Sequence, residues 1–271
     1  MDTRPITPER LAASVISVPP LARGADEKIC PEQNRRMVQH LEAGGVSTLL
    51  YGGNAILHHV AMSDYNDLLV MLSEIAADDS LVIPSVGPFY GTMMDQAKML
   101  CDYDFPTAMV LPTRDMITSA GVAAGVKRFA DSYGRPAVLY IKNDGYIDVA
   151  DVAGLMKDGC LSWIKYAVVR DNQQSDNYLS ELTQAVGTDR LVSGIGEQPA
   201  ITHLNSFGLQ SFTSGCVCVA PSLSMSMLAA VKRGDLVAAE EIRKTFEPLE
   251  DLRNGINPVR VLHTAVRLAG L

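Results

Sequence analysis

Short apolar runs alternate with longer amphipathic stretches along the chain, and this alternation limits the folds open to it. Eight such runs occur, and each is rich in β-branched or aromatic residues and flanked by glycine or proline, as strands are. They cover residues 14–18, 47–51, 81–86, 107–111, 137–141, 161–169, 190–195 and 209–215. The stretches between them have helical spacing, and Ser63 is a candidate N-cap for one of them. A strand–helix unit repeated eight times predicts an α/β fold, a closed (β/α)8 TIM barrel, with a doubly wound parallel sheet as the alternative.

The residues after Pro221 have a different pattern. SLSMSMLAAVKRGD, LVAAEEIRKTFEPLEDLRN and NPVRVLHTAVRLAGL are typical of successive helices with no strand between them. The first would close the barrel, and the other two would be extra C-terminal helices. No linker rich in glycine, serine or proline separates them. We therefore predict a single domain, with the barrel core in residues 1–221 and a helical extension in residues 222–271 packed on it.

Composition and charge narrow the class of protein. The 271 residues are 47% hydrophobic and 20% charged, which is enough apolar material for a full core. A net charge of −8 repels phosphate backbones, so we expect no nucleic-acid partner. No apolar run approaches the roughly 18 residues that span a bilayer, and MDTRPITPERL lacks a signal-peptide pattern, so we expect no membrane partner. The 5 scattered cysteines favour a reducing, cytoplasmic location.

Lys165 is the most informative single residue, because it lies inside the apolar run LSWIKYAVV. On a strand it would share one face with Trp163, while Ile164 and Tyr166 would take the other, and both faces have a buried composition. Burial lowers the pKa of a lysine, which leaves an uncharged amine able to attack a carbonyl near neutral pH. The pattern alone leaves two interpretations open, a catalytic amine and a lysine that pairs with a carboxylate or reaches solvent.

Tyr140 lies in the run AVLYI, one strand before Lys165. Adjacent barrel strands are about 4.8 Å apart, so two inward side chains on neighbouring strands can meet. A phenol beside an amine or an iminium can transfer protons. A core tyrosine that bonds to the backbone is the alternative.

Two glycine-containing segments follow predicted strands, and their amides could bind a carboxylate. LLYGGNA supplies Gly52, Gly53 and Asn54 after the second strand. VSGIGE supplies Ser193, Gly194 and Ile195 at the end of the seventh run, residues 190–195. A tight turn without function fits each segment equally well. LLYGGNA is not a dinucleotide fingerprint, because it lacks the third glycine and the later acidic residue.

No other group of residues in the sequence indicates a catalytic, metal or nucleotide site. The histidines are scattered or adjacent, so we expect no metal centre, and the chain contains neither a G-x-S-x-G elbow nor a Walker loop. Cys216 and Cys218 would point to the same face of a strand, where a buried thiol pair is the simplest interpretation.

The ordered landmarks resemble the N-acetylneuraminate lyase and dihydrodipicolinate synthase family over nearly the whole chain. SVISVPPL resembles the family's first strand and T-P-F turn, AGGVSTLLYGGNA its glycine-rich stretch, and VLPT its V-T-P-Y segment. AVLYIKN resembles P-I-x-L-Y-N, which carries the catalytic tyrosine, and LSWIKYA resembles the strand around the Schiff-base lysine. LVSGIGE resembles L-x-S-G-D-D, and GINPVRVLHTAVRLAGL resembles the N-P-x-P-V-K-x-A-L helix.

This resemblance implies a class I aldolase or dehydratase, a lyase in which Lys165 forms a Schiff base with pyruvate or a longer 2-oxo acid. Tyr140 would transfer protons, and the amides of Gly52, Gly53 and Asn54 would hold the substrate carboxylate. The resemblance implies no metal or organic cofactor. It also implies a homo-oligomer, either a dimer or a homotetramer built as a dimer of dimers.

Departures from the family pattern bear on the substrate. Gly53 and Asn54 replace the threonine pair of the glycine loop, and Thr113 and Arg114 replace the aromatic pair after T-P. The arginine that grips the aldehyde substrate in dihydrodipicolinate synthase has no match. These changes favour a lyase for a hydroxylated 2-oxo acid, with Arg114 and Arg170 as candidate grips for a second anionic group. The alternatives are a dihydrodipicolinate synthase that condenses pyruvate with aspartate semialdehyde, and an inactive barrel that binds a metabolite or a partner.

Overall fold

All strands of the computed structural model, which describes residues 1–271, belong to one parallel sheet that closes on itself. The strands are β1 (Ile16–Ser17), β2 (Thr48–Leu50), β3 (Leu81–Ile83), β4 (Ser85–Val86), β5 (Met109–Val110), β6 (Ala137–Ile141), β7 (Leu161–Tyr166), β8 (Leu191–Ser193) and β9 (Ser211–Ser214). Their order in the sheet is β3-β2-β1-β9-β8-β7-β6-β5-β4. Its two end strands, β3 and β4, are consecutive in the chain and form two halves of one barrel strand.

Pro84 separates β3 from β4, because proline has no N–H to donate to a strand ladder. The ladder nevertheless continues on both sides of it. The Pro84 carbonyl accepts the Met109 amide at 2.8 Å, and the Ile83 carbonyl accepts the Tyr51 amide at 2.9 Å. Each of the 8 predicted runs therefore contains one strand of a closed barrel. The predicted (β/α)8 barrel is confirmed, and the doubly wound alternative is wrong.

Helices separate the strands and continue after the last one. They are α1 (Pro8–Ala12), α2 (Pro31–Ala43), α3 (Met62–Glu74), α4 (Tyr90–Leu100), α5 (Ser119–Tyr133), α6 (Val149–Lys157), α7 (Asn177–Val186), α8 (Ala200–Phe207), α9 (Pro221–Lys232), α10 (Leu236–Gly255) and α11 (Pro258–Leu268). Side-chain caps fix several helix starts; the Asp176 carboxylate, for example, accepts the Leu179 amide. None of these helices combines the length and apolar composition that a bilayer crossing requires.

Two local predictions are wrong. Helix α3 begins at Met62 with Ala61 as its N-cap, and the Ser63 hydroxyl bonds to the Asp64 carboxylate instead of capping the helix. Cys216 and Cys218 lie on a short 3₁₀ helix, because β9 already ends at Ser214. Both thiols are nevertheless buried, as the sequence predicts.

Strand β7 is buried along its whole length, as expected for a parallel strand with helices on one side and the barrel interior on the other. The Tyr166 hydroxyl bonds to Asp176 in the helix layer, so alternate residues of β7 face outward. Lys165 and Trp163 take the other face, inside the barrel. The buried composition that the sequence assigns to both faces is therefore confirmed.

The C-terminal helices lie against the carboxyl end of the barrel. Helix α10 packs on α8, on α9 and on the turn at residues 216–218, while α11 packs on α10. Pro221, where α9 begins, contacts the end of α2. The boundary proposed between residues 221 and 222 thus falls at the start of a helix that completes the barrel.

The contact between α2 and α9 gives a stability test. A Cβ added at Gly44 would lie 2.4 Å from the Pro221 Cβ, whereas one added at Gly154, in α6, would meet nothing within 4 Å. We expect Gly44→Ala to lower the free energy of unfolding by about 1–3 kcal/mol through overpacking. Gly154→Ala should raise it by about 0.5–1 kcal/mol, because alanine is the better helix former. Urea denaturation of both variants measures the difference, and equal midpoints would contradict the α2–α9 packing.

Candidate active site

Lys165 and Tyr140 are register partners on β7 and β6, and their side chains meet inside the barrel. The Lys165 Nζ lies 4.5 Å from the centroid of the Tyr140 ring. The Tyr140 hydroxyl makes no hydrogen bond to a backbone carbonyl, so the tyrosine is not held in the way that an ordinary core tyrosine would be. The two predicted catalytic side chains are therefore adjacent.

Lys165 is a buried amine without a counter-ion. It is 4% exposed, and no carboxylate lies within ion-pair distance of its Nζ. Burial lowers its pKa to about 7, with smaller contributions from the positive charges of Lys142 and Arg253. Of the two interpretations that the sequence leaves open, the carboxylate-paired lysine is therefore wrong. Near neutral pH a large fraction of this amine is uncharged and can act as a nucleophile.

Tyr140 has the opposite shift. Burial raises the pKa of its phenol to about 12, so the hydroxyl is protonated at neutral pH. A protonated phenol can donate to a group that gains negative charge, and it can accept a proton only in exchange for its own. Before substrate binds, the Lys165 amine is therefore partly uncharged and the neighbouring Tyr140 phenol is protonated.

The turn after β2 presents consecutive backbone amides. The N–H groups of Gly52, Gly53 and Asn54 donate to no acceptor in the protein. The carbonyls of Gly52 and Gly53 do have partners, since they accept the amides of Leu57 at 3.3 Å and Ile56 at 3.0 Å, which fixes the turn. Free amides on a fixed turn can bind an anion such as a carboxylate.

The two glycines in this turn have different surroundings. A Cβ at Gly52 would lie 2.7 Å from the Met109 Cε, whereas one at Gly53 would meet nothing within 4 Å. Gly53 therefore borders open space, where a ligand can approach its backbone.

The segment after β8 divides its predicted site residues between the two sides of the barrel. The sequence predicts that the amides of Ser193, Gly194 and Ile195 bind a carboxylate. The Gly194 amide instead donates to the Tyr166 carbonyl at 2.6 Å, so that part of the prediction is corrected. Ser193 Oγ lies 2.8 Å from Nδ1 of His203 in α8. Ser193 is in register with the outward-facing Tyr166, and strand alternation directs both side chains to the helix layer. Gly194 does border the site, because a Cβ there would lie 3.0 Å from the Lys165 Cγ. Ile195 follows it and is half-buried.

The two arginines predicted to hold a second anion differ in their surroundings. Arg170 is already paired, with its Nη1 2.6 Å from Asp144 and its Nε 3.0 Å from the buried Asp176. Its prediction as a substrate grip is therefore corrected, because both partners would have to be displaced. Arg114, in the exposed loop after β5, makes no ion pair.

Arg253 of α10 is a site neighbour that the sequence does not reveal. Its Nη2 lies 3.4 Å from Asn54 Oδ1, its Nη1 lies 3.6 Å from Cys216 Sγ, and its charge acts on Lys165. His263 of α11 adds a contact from its Nε2 to the Asn54 carbonyl at 3.2 Å. The C-terminal extension thus holds the glycine turn in place.

Lys142 is a second residue that sequence reasoning missed, although strand alternation could have found it. It directly follows β6, two residues after Tyr140, so it shares the inward face of that strand one layer nearer the barrel mouth. It is solvent-exposed and pairs with no carboxylate. Partial desolvation of its ammonium group, and then the charge of Arg114, lower its pKa.

Two buried carboxyl groups lie behind Arg253. Glu197 accepts the hydroxyls of Ser214 at 2.8 Å and Ser224 at 2.7 Å, while Glu250 Oε1 accepts the Glu197 amide at 2.9 Å. Glu250 Oε2 is buried and has no partner. Burial, and then the charge of Glu197, raise the pKa of Glu250 to about 8. Burial raises the pKa of Glu197 as well, so the two carboxyl groups are not both ionised at neutral pH.

Together with Cys216, the same two carboxyl groups resemble a metal site. Glu197, Cys216 and Glu250 each bring one ligand atom to within 4.8 Å of the others. Both oxygens of Glu197 already accept serine hydroxyls, however, and the Arg253 guanidinium lies beside the Cys216 thiol. A proton shared by the two carboxyl groups accounts for this arrangement, whereas a metal cation would require these groups and the Cys216 thiol to be ionised.

No family model and no curated protein matches the chain. Among solved structures, dihydrodipicolinate synthase from Oceanobacillus iheyensis superposes with a TM-score of 0.83 at 20% identity, covering 97% of this chain and 88% of that one. N-acetylneuraminate lyase from Fusobacterium nucleatum superposes with a TM-score of 0.80 at 12% identity, covering 96% and 89%.

The chain has the fold of dihydrodipicolinate synthase and N-acetylneuraminate lyase. The family resemblance found in the sequence is thereby confirmed at the level of the fold. Because the superposition covers nearly the whole chain, it includes the C-terminal helices as well as the barrel. In this dihydrodipicolinate synthase fold, Lys165 and Tyr140 occupy adjacent strands with their side chains in the barrel interior.

The lowered pKa of Lys165 can be measured without any substrate. Trace acetylation followed by mass spectrometry should show that labelling of the Lys165 peptide rises to half its maximum near pH 7. Lys244 is the internal control, because its ion pair with Glu241 raises its pKa above the ordinary value. A midpoint above about pH 9 for Lys165 would mean that the amine is hydrated or paired, against the described geometry.

The shared proton predicts how stability depends on pH. The folded-state pKa of Glu250 is raised from 4.5 to about 8, so this group favours folding below pH 4.5 and that contribution is lost as the pH rises toward 8. Glu250→Gln mimics the protonated form. We expect it to be more stable than wild type at pH 9 by about 1–3 kcal/mol, with little difference at pH 5.

Denaturant titrations at the two pH values measure this difference. Glu181→Gln, at an exposed position of α7, is the matched control and should behave like wild type. A Glu250→Gln variant destabilised equally at both pH values would show that the pair does not share a proton.

Proposed function

We propose that this protein is a class I lyase, an aldolase or dehydratase that holds pyruvate or a longer 2-oxo acid as a Schiff base on Lys165. The observation that carries the proposal is the buried, unpaired Lys165 amine with its Nζ 4.5 Å from the Tyr140 ring. A buried amine with no carboxylate is costly unless it serves as a neutral nucleophile, so its function accounts for its position. The shared fold, which the neighbours' names associate with synthases and lyases, supports the same reaction class.

The first step is imine formation. The neutral Lys165 amine attacks the C2 carbonyl carbon, and the carbonyl oxygen leaves as water after taking up one proton from the amine and one from the surrounding water. The resulting iminium withdraws electrons from the neighbouring C3. Hydrolysis at the end of the cycle returns the water and releases the amine, so no external oxidant or reductant is required.

Bond cleavage follows. In an aldolase, the C4 hydroxyl loses its proton, the C3–C4 electron pair moves into the iminium to form an enamine, and C4 leaves as an aldehyde. In a dehydratase, C3 loses the proton and the C4 hydroxyl leaves as water. Tyr140 is adjacent to the amine and is the candidate carrier of the proton in either case.

The substrate carboxylate would bind at the turn after β2. The free amides of Gly52, Gly53 and Asn54 supply donors, and Arg253 fixes Asn54 from behind. Gly194, and the backbone of Ile195 beyond it, would border the bound acid on the side of Lys165.

Dihydrodipicolinate synthase itself is the less favoured activity. The hydroxyl pair of the family's glycine loop is replaced here by Gly53 and Asn54, and the Tyr140 hydroxyl bonds to no second hydroxyl. We therefore assign a hydroxylated 2-oxo acid as the substrate, whose own C4 hydroxyl can exchange a proton with Tyr140 directly.

Self-association fits the surface beside the β4–α4 junction. Phe89, Tyr90 and Met116 are 67%, 49% and 100% exposed, and they line or flank one groove with Ile117. Exposed apolar side chains in one place are typical of an interface, so we propose a homo-oligomer that buries them.

The central experiment is borohydride trapping. Pyruvate with borohydride should give a stable mass increase on the Lys165 peptide, and Lys165→Met should abolish it. Lys244→Met, at an exposed position of α10, is the matched control and should label like wild type. Tyr140→Phe should still form the adduct but should turn over a hydroxylated 2-oxo acid about 10²–10⁴-fold more slowly, since it lacks the proton carrier.

Two results would contradict the Schiff-base function. One is the failure of pyruvate and every other 2-oxo acid to label Lys165 at pH 8, where the amine is largely uncharged. The other is labelling that persists unchanged in Lys165→Met, which would place the adduct on another amine.

A further inference from the structure

A hydroxyl without a partner lies on strand β9. This strand carries three hydroxyl side chains, and two of them are bonded within the protein. Ser211 Oγ donates to the Ser14 carbonyl at 2.7 Å, and Ser214 Oγ donates to Glu197 at 2.8 Å. The hydroxyl of Thr213, between them, bonds to no protein group, although the residue is only 2% exposed. A buried hydroxyl is costly in this state unless water or a ligand supplies a partner.

Strand alternation directs the Thr213 hydroxyl into the barrel. Ser214 faces the helix layer, because the carboxylate that its hydroxyl binds also accepts a hydroxyl of α9, so Thr213 faces inward. The registers agree with this direction. Lys165 pairs with Val192 of β8, and Val192 pairs with Ser211, which lies two residues before Thr213 on the same face of β9. Both observations place Thr213 on the face of the sheet that carries Lys165.

Thr213 also lies at the level of Lys165. The side chains of one barrel layer come from alternate strands, and the tilt of the strands displaces them from strict register. Gly194 shows the direction, because it lies two residues beyond Val192, the register partner of Lys165. A Cβ at Gly194 would nevertheless lie 3.0 Å from the Lys165 Cγ. The same displacement, continued to β9, makes Thr213 rather than Ser211 the neighbour of Lys165 across the interior.

Thr213 is the polar partner of Lys165 in this layer. The same displacement places Leu50 of β2 and Met109 of β5 in the layer, and both are apolar and fully buried. The carbon that bonds to the Lys165 nitrogen carries an oxygen during imine formation. At this level of the barrel, the hydroxyl of Thr213 is therefore the group that can bind that oxygen.

The Thr213 hydroxyl is open to the cavity. The inward hydroxyl of Thr48 is also unpaired, but it is completely enclosed, whereas that of Thr213 keeps contact with solvent. The next inward position of β9 is Gly215, where a Cβ would lie 2.7 Å from Asn54 Nδ2. Because Gly215 has no side chain, nothing on β9 separates Thr213 from the turn after β2 at which the carboxylate is proposed to bind.

We propose that the Thr213 hydroxyl binds the C2 oxygen of the 2-oxo acid while the imine forms and while it is hydrolysed. This inference rests on the proposed Schiff-base function and adds a catalytic residue to its first step. When the Lys165 amine adds to C2, an electron pair of the C=O bond moves onto the oxygen, and the Thr213 hydroxyl donates a hydrogen bond to it. The oxygen takes one proton from the amine and one from water in the cavity, the C2–O bond breaks, and water leaves. Thr213 keeps its own proton throughout.

The rate of imine formation tests this role. Enzyme is mixed with saturating pyruvate, samples are quenched into borohydride after increasing times, and the reduced adduct on Lys165 is measured by mass spectrometry. A group that stabilises only the transition state changes the rate of approach to equilibrium and not the equilibrium itself. We therefore expect Thr213→Val to slow the approach about 10–100-fold, while the final labelled fraction stays that of wild type. Thr213→Ser, which restores the hydroxyl, should recover most of the rate.

Thr48→Val is the matched control. It makes the same change at a buried inward threonine whose unpaired hydroxyl is enclosed away from the cavity, so it should label as fast as wild type. Trace acetylation of Lys165 in Thr213→Val should keep its midpoint near pH 7, because the proposed role concerns the C2 oxygen and not the amine. A shifted midpoint, or an equal slowing in Thr48→Val, would mean that Thr213 acts through packing, against the proposal.

The outcomes separate this inference from the proposed function. Labelling that is as fast in Thr213→Val as in wild type, or a slow rate that Thr213→Ser fails to recover, overturns the role of the hydroxyl and leaves the Schiff base intact. A lower final labelled fraction at an unchanged rate assigns Thr213 to ground-state binding and overturns it as well. Failure of the wild-type protein to label Lys165 overturns the function and, with it, this inference.

Discussion

The desolvation of one amine is the constraint on which the rest of the site depends. Lys165 is placed inside a parallel barrel whose strands are buried on both faces, and no carboxylate accompanies it. Such a lysine is stable only if its charge can be given up, and burial lowers its pKa to about 7 accordingly. The same burial raises the pKa of Tyr140 to about 12, so a single environment keeps the amine partly neutral and the phenol protonated. The shifts are opposite because burial disfavours whichever form is charged.

The positive charges around this amine strengthen the effect. Lys142 and Arg253 both lower the pKa of Lys165, yet they reach it from different parts of the molecule. Lys142 extends from the end of β6, whereas Arg253 extends from α10 and is held near Asn54 and Cys216. An acidic chain thereby carries a locally positive interior, which favours anionic substrates and neutral nucleophiles together.

Much of this arrangement follows from the sequence, and the remainder has identifiable physical reasons. Short buried strands repeat along the chain, and one lysine and one tyrosine on consecutive inward faces are visible in the pattern alone. Helix boundaries are less predictable. Ser63 resembles an N-cap in the sequence, but helix α3 already begins at Met62. The direction of Ser193 depends on its register with Tyr166, and the pairing of Arg170 depends on Asp144 and Asp176, which only the folded chain brings together.

Arg253 shows why a barrel boundary is not a functional boundary. Residues 1–221 contain every strand and both candidate catalytic side chains, but the guanidinium behind the glycine turn comes from α10. Its position depends in turn on Glu250, whose carboxyl accepts the Glu197 amide from the loop after β8. Two full negative charges there would be costly to bury, so one shared proton lets the extension pack against the barrel and keeps a cation beside the site. The helices after the barrel are therefore part of the electrostatic setting of Lys165, and a chain cut at residue 221 would have the strands of the site without the charge that helps to tune it.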